Sequence, residues 1–325
     1  MEDSQEIKFR LEDNGVGLIF LNRPRALNAL TLDMIRRMAA TLQMWEEDAA
    51  VKMIILQGEG DRAFCSGGDV KSIAKAADKS FQTDFIREEY RLDHLISRLT
   101  TPYVSVLDGV VMGGGVGVSR MGGVRVATER TVLAMPECAI GLVPDIGSGH
   151  ILGQLPGRLG LFLGLTGEQL KTVFVAEARW SAGHRVSGWE CRQLGLATHY
   201  IPSSRLEAAL AQLTSLAAPT LADIAQLLAG LETSGAGAEY LSQHLEEINL
   251  TFGAASLQEV ISNLEAGTSE FCRESLAKIN KGSPTSLAIT FKQLTQAPGS
   301  YKDALIIEYR YADHRDILHV FWIIL

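Results

Sequence analysis

KMIILQGEGDRAFCSGGD, residues 52–69, decides how this chain is to be read. Its first half is a short apolar run bounded by glycine, the pattern of a buried strand. Its second half ends in Ser66-Gly67-Gly68-Asp69, where glycine lets backbone N–H groups approach a ligand closely and adopt φ > 0. The same order of events recurs twice. YVSVLDG at 103–109 runs into VMGGGVG at 111–117, and VRVAT at 124–128 runs into MPECAIGLVPDIGSG at 135–149. N–H groups that converge from two such turns can stabilise negative charge developing on an acyl oxygen. The third segment adds Glu137 and Asp145, two carboxylates that could flank whatever those amides hold.

Composition narrows the function classes. The chain has 325 residues, of which 46% are hydrophobic, enough to fill a sizeable core in one large domain plus a smaller one. A net charge of −8 and a pI near 5.5 argue against a nucleic-acid surface, which needs clustered Lys and Arg. Cys65, Cys138, Cys191 and Cys272 lie far apart with no CxxC pair, as expected of reduced thiols in an intracellular compartment. The seven histidines show no HxxxH spacing, so no metal site is expected. VFWIIL at 320–325 is far shorter than the roughly 20 residues that span a bilayer, and no membrane span is expected. The N-terminus, MEDSQEIKFR, is acidic and runs directly into a strand pattern, with no presequence visible.

Local signals fill in the elements. IKFRLE and GLIFLN flank Asp13-Asn14-Gly15, a hairpin signal. Thr31 reads as the N-cap of a helix to about Glu47, with Leu32, Ile35, Met38, Leu42 and Trp45 on one apolar stripe. A further helix is expected over about Thr83–Leu99. Strands alternating with helices and loops predict an α/β core. After about Ser204 the texture becomes helical, in LEAALAQLTSLA, LADIAQLLAGL, SLQEVISNLEAG and PTSLAITFKQLTQ, and TSGAGAE at 233–239 is the most linker-like stretch.

Each candidate has a plainer reading. Gly113–Gly115 alone would serve close helix packing, Pro144-Asp145 before Gly147 would be an ordinary turn, and Glu88-Glu89 would be a solvated helix face. Glu137 is the stronger case, since a carboxylate between the apolar runs LAMP and AIGLVP is costly unless it has partners or a task. Cys65 reads as packing, because no histidine lies near it in sequence.

LNRPRALNAL at 21–30, AFCSGGD, GGGVG and MPECAIGLVPDIGSG, in this order and at these separations, resemble the crotonase (enoyl-CoA hydratase/isomerase) superfamily over about residues 7–310. The resemblance implies a spiral of ββα units, with residues 1–204 as the α/β core and 205–325 as a helical C-terminal region. It implies an acyl-CoA substrate, CoA being part of that substrate rather than a separate cofactor, and it is compatible with a homo-oligomer. It places the two oxyanion-binding amides at Gly68 and Gly114, the principal catalytic carboxylate at Glu137 and a second acidic residue at Asp145. It also makes Glu89 a substrate contact and puts Arg25 in the region used around the CoA nucleotide.

Three functions follow in order: a hydrolase of short 3-hydroxyacyl-CoA thioesters in valine breakdown in the mitochondrial matrix, an enoyl-CoA hydratase or isomerase, and a CoA-ester-binding chain without turnover. Position 117 discriminates the first two. Hydratases of the superfamily resemble GGGxE, and here that position is Gly117. Two departures keep the third open. TVFVAEARWSAGHRVS at 172–187 stands as an insertion before GWECRQLGLATHY, and beyond EYR at 308–310 the chain continues YADHRDILHVFWIIL in place of the family's usual segment, a truncated or altered end.

Overall fold

The computed structural model describes residues 5–76, 78–120, 123–167, 170–171, 188–234, 240–296 and 298–313. Contacts divide these residues into two compact units, one drawn from 1–72, 87–133 and 170–238, the other from 73–86, 134–169 and 239–325. The insertion at 172–187, most of the 233–239 stretch and the ending after residue 313 lie outside the described residues.

The first unit opens on the expected hairpin. β1 (Ile7–Leu11) and β2 (Val16–Leu21) pair antiparallel, and Gly15 takes the left-handed turn position at φ +86°. Three strand pairs follow: β3 (Met53–Gly58) with β4 (Ala63–Cys65), β5 (Tyr103–Leu107) with β6 (Val110–Met112), and β7 (Val124–Ala127) with β8 (Val132–Ala134). β9 (Leu170–Lys171) and β10 (His199–Tyr200) complete the strands. The first member of each pair enters a sheet of order β1-β2-β3-β5-β7-β10, and the second enters a sheet of order β4-β6-β8-β9. Each pair is followed by a short helical segment, Val70–Lys75, Gly114–Arg120 and the 3-10 turn Glu137–Ile140. These are successive ββα units, and the conspicuous motifs occupy the same place in each, just after the second strand.

Apart from the β1–β2 hairpin the larger sheet is parallel, from β2 through β3, β5 and β7 to β10. Its strands are therefore covered on both faces and read as continuous apolar runs. On one face Val16, Leu18, Met53, Ile55, Val104, Val106, Val124 and Val126 pack with Ala209, Leu213, Ile224 and Leu228 from the helices Ser203–Thr214 and Leu221–Leu231. The helix Leu32–Glu47 starts as expected, with the Thr31 hydroxyl accepting a hydrogen bond from Met34 N at 3.3 Å. Leu32, Ile35, Met38, Leu42 and Trp45 are buried, as the stripe predicts. The next long helix runs Lys79–Ile96, starting earlier than its sequence pattern suggested.

The second unit is helical. Leu159–Thr166 is buried throughout, with the Phe162 ring 5.4 Å from those of Phe252 and Phe271. Its glycines let neighbours close in: a Cβ on Gly160 would lie 2.0 Å from Leu152 O, and one on Gly164 would lie 2.6 Å from Leu294 Cδ1. The helices Tyr240–Phe252, Leu257–Ala266, Glu270–Ile279, Pro284–Thr295 and Tyr301–Asp313 account for most of the rest.

Candidate active site

The first glycine turn is held by the LNRPRALNAL segment. Leu30 N donates to Gly67 O at 2.8 Å, Asp69 N donates to Leu30 O at 2.8 Å, and Ser66 N donates to Leu27 O at 3.0 Å. Leu27 and Asn28 both sit at positive φ, +51° and +55°, and Asn28 is fully buried. Its side chain donates to Glu59 O and Ala63 O and accepts from Arg23 N, so it replaces the backbone partners this tight bend lacks. The Arg23 guanidinium reaches Asp69 at 2.9 Å, Ala29 O at 2.7 Å and Glu6 at 3.0 Å. Burial works to raise the Asp69 carboxyl, but hydrogen bonds from Ser72 and Arg23 outweigh it and hold the group below its ordinary range.

The second glycine turn lies against the first. A Cβ on Gly67 would stand 3.2 Å from Gly114 N, and one on Gly114 would stand 3.4 Å from Gly68 N. Gly67 and Gly113 take φ of +94° and +48°, where an L side chain is strained. Gly115 is packed so closely on β4 that a Cβ would meet Cys65 O at 2.3 Å. Among the described residues neither the Gly68 nor the Gly114 N–H donates to a protein acceptor. Two neighbouring backbone donors with no protein acceptor are the arrangement an oxyanion needs.

Glu89, from the helix Lys79–Ile96, stands over the same place, and a Cβ on Gly114 would fall 2.1 Å from its Oε1. Glu88 turns outward toward Arg36 and Arg87, while Glu89 is buried, so the paired glutamates divide between solvent and site. One turn further along, Asp93 is fully buried and fills the space beside Gly117: a Cβ there would lie 2.8 and 3.0 Å from its carboxylate oxygens. Burial pushes the Cys65 thiol up to about 12, and the charges of Glu89 and Asp93 add to the rise. That leaves no thiolate for nucleophilic attack and agrees with a packing role.

Glu137 and Asp145 belong to the second unit. Glu137 opens the 3-10 turn Glu137–Ile140 after Pro136 and is 93% buried, at 7% exposure. The turn is fixed by Leu142 N donating to Glu137 O at 2.9 Å, by Ser283 N donating to Cys138 O at 3.0 Å, and by Cys138 Sγ contacting Gly164 O and the Thr290 hydroxyl. Asp145 is half-buried and begins a turn closed by Ser148 N donating to Asp145 O at 3.0 Å. The structure thus groups Gly68, Gly114 and Glu89 in one unit and Glu137 with Asp145 in the other. Arg25 is exposed on the 3-10 turn Pro24–Ala26 of the first unit.

Several residues that build these sites were not singled out from sequence: Arg23 and Asn28, which shape the first glycine turn, Asp93 beside Gly117, and Glu308. Arg23 and Asn28 lay in the quoted segment, and Glu308 stood in EYR, but their partners Asp69, Ala63 and Gly147 are 46, 35 and 161 positions away and only folding brings them near. Among the described residues no group of three or more His, Cys, Asp or Glu is placed to hold a metal ion, and no helix is long and apolar enough to cross a membrane.

Comparison with known proteins accords with this geometry. A family profile described as enoyl-CoA hydratase/isomerase matches residues 16–182 and 180–316. The chain is 41% identical over 302 residues to "3-hydroxyisobutyryl-CoA hydrolase, mitochondrial" of Xenopus tropicalis, covering 90% of this chain and 74% of that one. It is 41% identical over 308 residues to the Homo sapiens protein of the same name, covering 92% and 76%. Among solved structures, a carnitinyl-CoA dehydratase from Mycobacterium thermoresistibile superposes with a TM-score of 0.84 at 33% identity, covering 98% of this chain and 89% of that one. An enoyl-CoA hydratase from Rhodobacter sphaeroides gives 0.82 at 32%, covering 96% and 86%. With its successive ββα units, its paired glycine turns and these matches along nearly its whole length, the chain belongs to the enoyl-CoA hydratase/isomerase family.

Proposed function

We propose that this chain hydrolyses the thioester of 3-hydroxyisobutyryl-CoA, adding water across the acyl C–S bond to give 3-hydroxyisobutyrate and CoA. The relatives at 41% identity bear that activity in their names. The observation that carries the reading is the pair of neighbouring N–H groups at Gly68 and Gly114, which lack a protein acceptor among the described residues. Attack on a thioester carbonyl turns its oxygen into an oxyanion, and each preorganised donor aimed at it is worth about 2.7–4 kcal/mol in the transition state.

In this reading Glu137 supplies the base or the nucleophile. As a base it takes a proton from water while the water oxygen bonds to the carbonyl carbon, after which the C–S bond breaks and CoA leaves as the thiol. As a nucleophile it forms a mixed anhydride with loss of CoA, and water then cleaves the anhydride. Asp145 orients the water or meets the substrate hydroxyl, Glu89 contacts the acyl part, and Arg25 serves the CoA nucleotide. CoA is carried by the substrate, and the reaction as written needs no further cofactor. The relatives' names place them in mitochondria, and the matrix is the compartment proposed here.

The competing reading is hydration or dehydration, after the names of the two structural neighbours. Gly117 and the buried Asp93 beside it speak against a second glutamate at that position. The deciding experiment measures thiol release from 3-hydroxyisobutyryl-CoA next to loss of enoyl absorbance with crotonyl-CoA. Release of CoA without hydration is expected. Rapid loss of the enoyl band with no thiol released would overturn the proposal.

A further inference from the structure

The turn that carries Asp145 is strained and is held by the helix Tyr301–Asp313. Ile146 sits at φ +55° and Gly147 at φ +81°, two consecutive left-handed residues between Asp145 and Ser148. That is the pattern of a type I′ turn, whose central positions favour Asn, Asp or Gly. A buried β-branched residue there is a true outlier, and such backbone persists only where its surroundings over-determine it.

The surroundings here come from three residues. Tyr301 donates its hydroxyl to Ile146 O at 3.0 Å, and its ring fills the space where a Cβ on Gly147 would fall, 1.9 Å from Tyr301 Cε2. Glu308, 1% exposed, accepts from Gly147 N at 2.6 Å on one oxygen and from Gly149 N at 3.0 Å on the other. The Gln293 amide nitrogen, with two protons to donate, lies 2.8 Å from Glu308, 3.0 Å from Pro144 O and 3.0 Å from Ser148 Oγ, so it ties the same carboxyl group to both ends of the turn. Burying an ionisable group is costly, and a hydrophobic side chain would pack as well. What only a carboxyl group provides at this place is two acceptor oxygens for two backbone donors of one turn.

We propose that Glu308 is a positioning residue: by holding the N–H groups of Gly147 and Gly149 it maintains the strained turn and so fixes where Asp145 presents its carboxylate. This rests on the reading that Asp145 takes part in the hydrolysis.

A double-mutant cycle of Glu308→Gln and Asp145→Asn, assayed on 3-hydroxyisobutyryl-CoA, tests it. Glutamine matches the shape but replaces one carboxyl oxygen, which keeps a lone pair for its backbone donor whether or not it is protonated, with an NH2 that cannot accept. Glu308→Gln is expected to lower kcat at least about tenfold with KM within about threefold, and to have no further effect once Asp145 is Asn. An equal loss from Glu308→Gln in both backgrounds would mean that it acts on structure generally and would overturn the proposal. So would an unchanged kcat in Glu308→Gln while Asp145→Asn is impaired, which leaves the assignment of Asp145 standing. A fully active Asp145→Asn would instead remove Asp145 from the chemistry, and the proposal with it. If Glu308→Gln lacks a cooperative melt, the cycle is run with Tyr301→Phe, which deletes only the hydroxyl bond to Ile146. There a fall of about threefold is expected, again absent in the Asn background, and its persistence there would overturn the proposal.

Discussion

A Cβ placed on Gly117 would lie 2.8 Å from Oδ2 of Asp93, a fully buried carboxylate one helical turn beyond Glu89. The position where the family's hydratases carry a glutamate therefore has no room for one here. Gly117→Glu is expected to destabilise the fold by about 1–3 kcal/mol through overpacking, with like-charge repulsion added, and to leave crotonyl-CoA hydration at the parent level. Thermal melts and the crotonyl-CoA assay check this, and a variant that melted like the parent and hydrated faster would show that Asp93 yields easily.

Glu137→Gln keeps the shape of a buried side chain and removes its ability to take a proton or attack. Turnover is expected to fall by at least about a hundredfold, with CoA-ester binding preserved. Steady-state thiol release together with equilibrium binding of the substrate measures both, and hydrolysis within threefold of the parent would exclude Glu137 from the chemistry.

Gly114→Ala puts a methyl group where Glu89 Oε1 now stands, at 2.1 Å, and beside Gly68 N at 3.4 Å. The carboxylate must move or the turn must shift, and either displaces an N–H from the oxyanion position. A fall in kcat/KM of at least about a hundredfold is expected, on the scale of losing one oxyanion donor. Equal efficiency in the two proteins would remove Gly114 from that role.

Stability near neutral pH should carry the signature of Glu308. Burial pushes its carboxyl from an ordinary 4.5 up to about 8, against hydrogen bonds from Gly149, Gly147 and Ser148, and the neighbouring charge of Asp145 adds to the rise. The folded chain then keeps a proton that the unfolded chain releases between about 4.5 and 8, so this group's contribution declines as pH rises through that window. Glu308→Gln exchanges no proton there. The melting temperature of the variant relative to the parent is therefore expected to increase steadily from pH 5 to pH 8, and a constant difference would show that Glu308 ionises normally.

Much was legible in the residues themselves, because the signals were local. Gly15 after Asp13-Asn14 set the hairpin, Thr31 and the stripe from Leu32 to Trp45 set the first long helix, and uninterrupted apolar runs such as Met53–Leu56 marked buried strands. The three glycine and carboxylate motifs were readable for the same reason, since turn chemistry is written in adjacent residues. Tertiary structure alone decided what those turns lean on. Arg23 meets Asp69 across 46 positions, Asn28 closes its bend on Ala63, and Glu308 reaches back 161 positions to Gly147. Such partners leave no periodic trace, because a buried hydrogen bond specifies the distance between two groups in space and is indifferent to the length of chain between them. The same reason kept Asp93 hidden: its place beside Gly117 follows from how one helix packs on another, which neither stretch of sequence contains by itself.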